Sequence, residues 1–437
     1  MMHVLGGGPA GMAMLFYAHR AGMPLRVYEA ASFVGGNART IEWGEFRYDS
    51  GAHRLHHKDQ ESLQDFLTIL GDEVHVVDAP SQIYLDGRLL DFPLSPFDLL
   101  RKLPKQLLFT IARENLGPRR TSAAVESFAS RAEAAYGPTL ANNVLLNYSR
   151  KLWGVELDDL DPVAAGGRLN GLDLKTFLLE GLRGAKARTR HLDGSFHYPR
   201  LGIGQLFDRI VAQAGAANVQ LNARITAIEH KGNQISGFEL ESGEHVACRE
   251  LCSTLPLGLM IQLLRPAPPD AVRAAAAQLM FRHIRLLVLA LNCRSFTSNA
   301  SVYMPTAGAS FTRIYEPKNR SAAMAPADKT AIVIEFPCFA HESMWRMSDD
   351  ELFTLCMRQM DNLGLLHSIE VLDACGLRLF NAYPVPQLST QRSLRVVRDY
   401  LAGIRGLHII GRGAEFRYTH IHDLFKSARE FVELCVK

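Results

Sequence analysis

The sequence predicts an α/β fold of two domains interleaved along one chain, and three observations carry that prediction. A glycine triplet, Gly6, Gly8 and Gly11, stands between a short apolar run and a helix-like one. Glu29 closes the next apolar alternation, Leu25 to Tyr28, eighteen residues after Gly11. Far downstream, LHIIGR (407–412) and an amphipathic stretch from about Asp423 return to the pattern of strand, glycine and helix. Strand, GxGxxG turn, helix, strand and acid in this order are the parts of a Rossmann-type βαβ unit.

Each part has its own physical reason. Gly6 permits the tight turn, Gly8 lets backbone amides approach a pyrophosphate, and Gly11 lets the helix pack closely on the strand. The helix is expected from Pro9 to Arg20, with Gly22 as its C-terminal cap, so that its N-terminus faces the anion. A second glycine turn, Gly35 and Gly36 followed by Asn37, Ala38, Arg39 and Thr40, closes the second strand of the same sheet and should lie beside the first. Phe46 and Tyr48 then lead into SGAHRLHH (Ser50 to His57), a strand ending in a tight loop.

From residue 60 to 190 the pattern reads as mainly helical, punctuated by prolines, and suits a region covering a substrate. The α/β pattern resumes near 198, with a helix through Leu206, Ile210 and Val211 and strands whose hairpin signals are Gly232–Asn233 and Ser242–Gly243. Gly202–Gly204 lacks a third glycine, so no second dinucleotide fingerprint is read there and no separate nicotinamide domain is expected. A second insertion mixes helices with strands at Ile284–Leu291 and Ala331–Phe336. Residues 1–75, 198–255 and 400–437 are therefore assigned to the dinucleotide domain, and 76–197 and 256–399 to a mixed α+β substrate domain.

Composition narrows the function. The chain has 437 residues, 47% hydrophobic and 21% charged, as in a globular protein with ample core material. A net charge of +3 is too small to suggest nucleic acid, and the clusters Arg119–Arg120 and 183–190 read as solvated helix ends. The first residues already read as a strand, so no secretory signal is expected, and the apolar run Leu286–Leu291 is too short to be an integral membrane segment. Seven scattered cysteines, an odd number, suit a reduced cytoplasmic protein. Cys248 and Cys252 lack a second pair at zinc spacing, and His53, His56 and His57 lack a carboxylate at suitable spacing; no metal site is expected.

Several longer motifs add to this reading. VGGN (34–37), SGAHRLHH, YSRKLWG (148–154) and GRGAEFRYTHI (411–421) resemble hallmark segments of UDP-galactopyranose mutases. DFPLSPFDLL (91–100), FHYPRLGIGQLF (196–207) and RIYEPKNRS (313–321) resemble bacterial protoporphyrinogen-oxidase-like proteins. Along nearly its whole length the chain thus resembles the flavoprotein superfamily that contains amine oxidases, protoporphyrinogen oxidases and UDP-galactopyranose mutases.

The resemblance implies FAD, held by a Rossmann-type domain of the GR2-like kind. It places the adenine half against Gly6, Gly8, Pro9, Ala10, Gly11, Glu29 and Ala30, with the backbone at Ile225 touching the adenine. Gly36, Asn37 and Arg39 would lie near the phosphates or ribityl, and Ser50, Gly51, Ala52 and His53 against the isoalloxazine. The helix start at Ile421 would point at the pyrimidine edge, and Gly411 and Arg412 would serve the flavin or position backbone.

For the reaction, the resemblance singles out His53, Arg313, Arg417, Tyr418 and His420. His53 would tune the flavin or move a proton, or else be a loop histidine satisfied by backbone. Arg313 and Arg417 match substrate-side arginines of the mutases, with an interdomain ion pair as the alternative for each. Tyr418 matches one of two tyrosines that grip a sugar-nucleotide diphosphate; the second is Thr419 here, and His420 replaces an acid. Trp153 is either a cleft aromatic or core. The function expected is FAD-dependent oxidation of a small-molecule substrate by hydride transfer to flavin N5, and the alternative is a redox-neutral, mutase-like reaction of reduced flavin on a sugar nucleotide.

Overall fold

The parallel sheet of the nucleotide domain is assembled from three distant parts of the chain. The structure, a computed structural model, describes residues 1–92, 94, 96–116, 126–165, 195–366 and 368–436. Its central five strands run in the order Leu407–Ile409, Leu251–Ser253, Met2–Leu5, Leu25–Tyr28 and Val219–Gln220, all parallel. Strands this apolar must be covered on both faces. Helices Pro9–Arg20, Gln60–Leu70, Gly204–Ala214 and Ile421–Val436 form one cover, with Phe16, Phe66, Phe207 and Phe425 packed between them.

The other cover is a four-stranded sheet built on the hairpin Ile225–Lys231 and Gln234–Leu240, which turns at the predicted Gly232–Asn233. Helices Leu257–Leu263, Asp270–Ala277 and Gln391–Ala402 share the same core through Met260, Val272 and Val397. Leu257–Leu263 and Asp270–Ala277, which fall within 256–399, and Gln391–Ala402, which spans residue 400, bury their apolar faces in this core.

That second sheet has seven strands, in the order Val371–Pro384, Phe281–Leu291, Thr330–Cys338, Arg313–Tyr315, Ser301–Tyr303, Ser81–Leu85 and Arg88–Phe92. One face packs on helix Asp349–Asn362, and the other looks toward the nucleotide domain through Tyr48, Ile284 and Tyr315. Residues 60–190 are thus not as helical as their pattern suggests, for Val74–Val77, Ser81–Leu85 and Arg88–Phe92 are strands. The last two are joined by Asp86–Gly87 with φ of 47° and 80°, a hairpin turn of the kind that Asp-Gly favours. Helices Pro96–Lys102, Lys105–Leu116, Phe128–Tyr136 and Asn147–Trp153 follow. The clusters Arg119–Arg120 and 183–190 fall outside the described residues.

Candidate active site

The two glycine turns meet as the sequence predicts. The Gly35 N–H donates to the Gly7 carbonyl at 2.8 Å, and a Cβ on Gly36 would stand 3.2 Å from Gly8 Cα. Gly8 caps helix Pro9–Arg20 without any side-chain bond, and the first helical bond is Met12 N–H to the Gly8 carbonyl. The N–H groups of Ala10 and Gly11 are therefore left for an anion, and nothing lies within 4 Å of where a Gly8 Cβ would be. Gly11 is required by packing, since a Cβ there would come within 2.0 Å of the Gly6 carbonyl oxygen.

Glu29 closes this cradle. Its carboxylate accepts from Gly7 N–H at 2.6 Å and Ala31 N–H at 2.8 Å, which fixes its direction and leaves lone pairs for ribose hydroxyls. Ala30 is exposed beside it. The Ala223 N–H donates to the Glu29 carbonyl, so the strand that begins at Ile225 starts beside Glu29. From the far end of the chain, Gly411 packs on Ala10, with a notional Cβ–Cβ distance of 3.2 Å. Such a cradle suits a dinucleotide.

Beyond it opens a cleft lined by residues of both domains. At its nucleotide end stand Asn37, Ser50, Gly51, Ala52, His53, Arg54 and His56, together with Arg412, His420 and Ile421. The first loop is tied down by Ser50, whose hydroxyl donates to the Asn37 carbonyl at 2.9 Å and accepts from Arg39 N–H. His53 Nε2 lies 2.9 Å from the Asn37 carbonyl oxygen. A carbonyl only accepts, so Nε2 carries the proton and Nδ1 is the free acceptor. Burial, and then the charge of Arg412, push the His53 pKa down to about 3, so the ring is neutral. His56 is likewise pushed down to about 3 by burial and by Arg54.

The helix Ile421–Val436 opens onto this end, with His420 N–H capped by the Asp423 carboxylate at 2.8 Å. His420 and His422 are stacked with ring centres 5.6 Å apart, and His56 meets both edge-on. Arg412 donates to the Thr419 carbonyl through Nε and Nη2 and lies over the rings of Tyr383 and Tyr418. It positions the turn leading into the helix.

The other end of the cleft is a row across the seven-stranded sheet. Tyr303 pairs with Arg313, and Arg313 pairs with Glu335, as direct cross-strand partners. Arg313 donates to the Glu335 carboxylate from Nε at 2.9 Å and from Nη2 at 2.7 Å. Burial acts against the guanidinium charge, but Glu335 outweighs it and holds the Arg313 pKa above its ordinary value. Ile284 and Leu379 flank the pair. Tyr383 and Tyr418, with centroids 5.6 Å apart, form the wall, and burial raises the Tyr383 pKa to about 12, so its phenol is neutral.

The cleft therefore gathers His53, Arg313, Tyr418 and His420 from segments far apart in sequence. Arg417 is exposed and does not line it. Trp153 is core, 2% exposed and packed edge-on behind Tyr383 and Tyr418. Arg313 does form an ion pair, but within the seven-stranded sheet rather than between domains, and its partner Glu335 was not singled out from the sequence. A lone acid inside the apolar run TAIVIEFPC (330–338) was the available signal, because a strand this buried tolerates a carboxylate only with a partner. Arg320, buried and donating to the His53 carbonyl at 2.8 Å, also went unread.

Comparison with known proteins agrees with this geometry. The structure is similar to reduced UDP-galactopyranose mutase, with a TM-score of 0.86 and 18% identity over 100% of this chain and 95% of that one. It is similar to a protein assigned as a protoporphyrinogen oxidase from Exiguobacterium sp. 255-15, with a TM-score of 0.77 and 17% identity over 100% and 98%. A putrescine oxidase redesigned in its cofactor binding gives a TM-score of 0.68 and 14% identity, again over 100% and 98%. At such identities the likeness speaks for the fold. No curated protein matches the chain by sequence. No helix among the described residues is long and apolar enough to cross a membrane. The profile of flavin-containing amine oxidoreductases matches residues 14–430. A flavin held in a dinucleotide cradle is FAD, and the chain belongs to the flavin-containing amine oxidoreductases as an FAD-dependent oxidoreductase.

Proposed function

We propose that the protein dehydrogenates a small organic molecule lying in the cleft between the Ser50–His53 loop and the sheet row Tyr303–Arg313–Glu335. The observation that carries this reading is the convergence of that loop, the N-terminus of helix Ile421–Val436 and the tyrosine wall on one cleft. FAD, when bound, accepts a hydride at N5 and passes the electrons to oxygen or another acceptor. The glycine turns and Glu29 would hold its adenine half, and Ser50 to His53 would support the ring system. The helix N-terminus at Ile421 favours negative charge placed before it, such as that gained on reduction. Tyr383 and Tyr418 exclude water from the wall. His53, neutral with its proton on Nε2, offers Nδ1 as an acceptor without adding charge.

A redox-neutral reaction on a sugar nucleotide is the second reading, favoured by the fold likeness to the mutase and by Arg313 and Tyr418 in the cleft. Two observations weigh against it. Arg417 is exposed outside the cleft, and Thr419, standing where a second tyrosine would grip a diphosphate, is buried with its hydroxyl unpartnered.

Anaerobic titration of the FAD-loaded protein separates the two. Bleaching of the visible flavin spectrum by a reduced small organic molecule, reversed by air, is the expected result. Turnover of a sugar nucleotide only after prior reduction of the flavin, with no acceptor consumed, would overturn the proposal.

A further inference from the structure

Arg313 is a cation in a cleft of a fold that also serves a sugar-nucleotide enzyme, yet its charge is already spent. Both oxygens of Glu335 are engaged, one by Nε and one by Nη2, in the side-on geometry with which arginine would otherwise grip a phosphate. The side chains are only 13% and 4% exposed, so water cannot stand in for either partner if they separate. Strand register makes them neighbours before any ligand arrives.

The nearest surroundings of the pair are aromatic. After Glu335, the groups that act most strongly on Arg313 are Tyr148, Tyr303 and Tyr383, all phenols. The two further arginines of the cleft are Arg54 and Arg412, and Arg412 lies over the ring of Tyr383, one of the phenols that act on Arg313. Arg412 is bound to the Thr419 carbonyl and Arg54 donates to Ser81 Oγ at 3.0 Å. Each of these guanidinium groups is thus already engaged by a partner within the protein.

We propose that Glu335 sets the substrate's charge: by closing Arg313 into a two-bond pair, it makes the substrate end a neutral, aromatic pocket for an uncharged molecule bearing a hydrogen-bond acceptor, and turns phosphorylated molecules away. Nη1 of Arg313 takes no part in the pair and offers N–H donors to one carbonyl or similar oxygen. A diphosphate would have to displace Glu335, leaving a buried carboxylate unpaired and facing the incoming anion. Apolar Ile284 and Leu379 and the rings of Tyr303 and Tyr383 supply the rest of the contact surface.

This inference rests on the cleft being the substrate site, as proposed above, and is tested without turnover. UDP and inorganic pyrophosphate are titrated calorimetrically into the FAD-loaded protein, whose cofactor cradle is then filled. The wild type is expected to show no binding at millimolar ligand. Glu335→Gln keeps the shape but removes the charge, and should bind UDP at least about tenfold more tightly, the range of a charge-assisted hydrogen bond. The double variant Arg313→Gln with Glu335→Gln should lose that gain. Equal affinities in wild type and Glu335→Gln would overturn the proposal, as would wild-type UDP binding that Arg313→Gln abolishes; this second arm decides the matter even if Glu335→Gln fails to fold. Failure of every uncharged substrate to reduce the flavin would count against the oxidation itself and leave the anion result standing.

Discussion

Arg313 and Glu335 face each other across adjacent antiparallel strands, and their two hydrogen bonds, 2.9 and 2.7 Å, join a guanidinium and a carboxylate that are both largely withdrawn from water. A pair of this kind is costly to break and cheap to replace. Glu335→Ala leaves a buried cation uncompensated and should lower stability by about 3–5 kcal/mol in urea denaturation. Replacing both partners with apolar residues of similar volume, Arg313→Met with Glu335→Leu, should recover most of that loss. A cost below about 1 kcal/mol for Glu335→Ala would mean that the pair is solvated like a surface bridge.

Acid should weaken the fold through the cleft histidines. His53 and His56 have folded pKa values of about 3, against the usual 6.5 of a free histidine. In the window from 6.5 down to 3 the unfolded chain takes up protons that the folded one refuses, so stability is full above pH 6.5 and falls as pH drops. Each histidine contributes a slope of up to about 1.4 kcal/mol per pH unit. Carboxylates titrate in the same window, so the difference between wild type and His56→Asn is the measure. The variant should lose less stability than wild type between pH 6.5 and 4, and parallel curves would show that His56 is open to water in the folded state.

How much of this was legible depended on the range of the interaction. The Gly6–Gly11 turn, Glu29 and the Gly35–Gly36 turn carry their reasons locally, since a left-handed φ or a close backbone approach demands glycine wherever the chain goes next. The C-terminal strand Leu407–Ile409 was legible for the same reason, as an apolar run ending in Gly411. The strands at 81–92 were misread because proline punctuation hid a two-residue Asp86–Gly87 hairpin, a local signal that was present and passed over. Glu335 and Arg320 belong to another class. Their partners, Arg313 and the His53 carbonyl, are set by sheet register and tertiary packing, which one sequence does not display.

The glycines of the first turn should separate cofactor binding from general stability. A Cβ at Gly11 would sit 2.0 Å from the Gly6 carbonyl oxygen, so Gly11→Ala must push the helix away from the turn proposed as the pyrophosphate site. The purified variant should carry little FAD and regain little on adding it. Gly22, at φ +65° with open space around it, ends the same helix without touching the cradle. Gly22→Ala should cost about 1 kcal/mol and keep its full flavin content. If Gly11→Ala retains FAD as fully as Gly22→Ala, the turn is not the phosphate site.

Beneath the His53 loop, Asp49 is fully buried and served by two tyrosines in different ways. The Tyr198 hydroxyl donates to its carboxyl Oδ2 at 2.5 Å, whereas the Tyr315 hydroxyl donates to its backbone carbonyl at 2.6 Å. Thr40 Oγ1 and Ile203 N–H donate to the other carboxyl oxygen, at 2.7 and 3.0 Å. Burial pushes the Asp49 pKa up, and the donors to its carboxyl, Tyr198, Thr40 and Ile203, offset only part of that rise. If the carboxyl is ionised at neutral pH, Tyr198→Phe removes a charge-assisted bond and should cost about 1.5–3 kcal/mol, while Tyr315→Phe removes a neutral one and should cost about 1 kcal/mol. Arg320, which lies over Tyr315 and holds the His53 carbonyl, transmits either loss to the flavin-side loop, so both variants are compared at full FAD loading. Equal losses in thermal or urea unfolding would show that Asp49 stands protonated in the folded protein, because only the charge distinguishes the two acceptors.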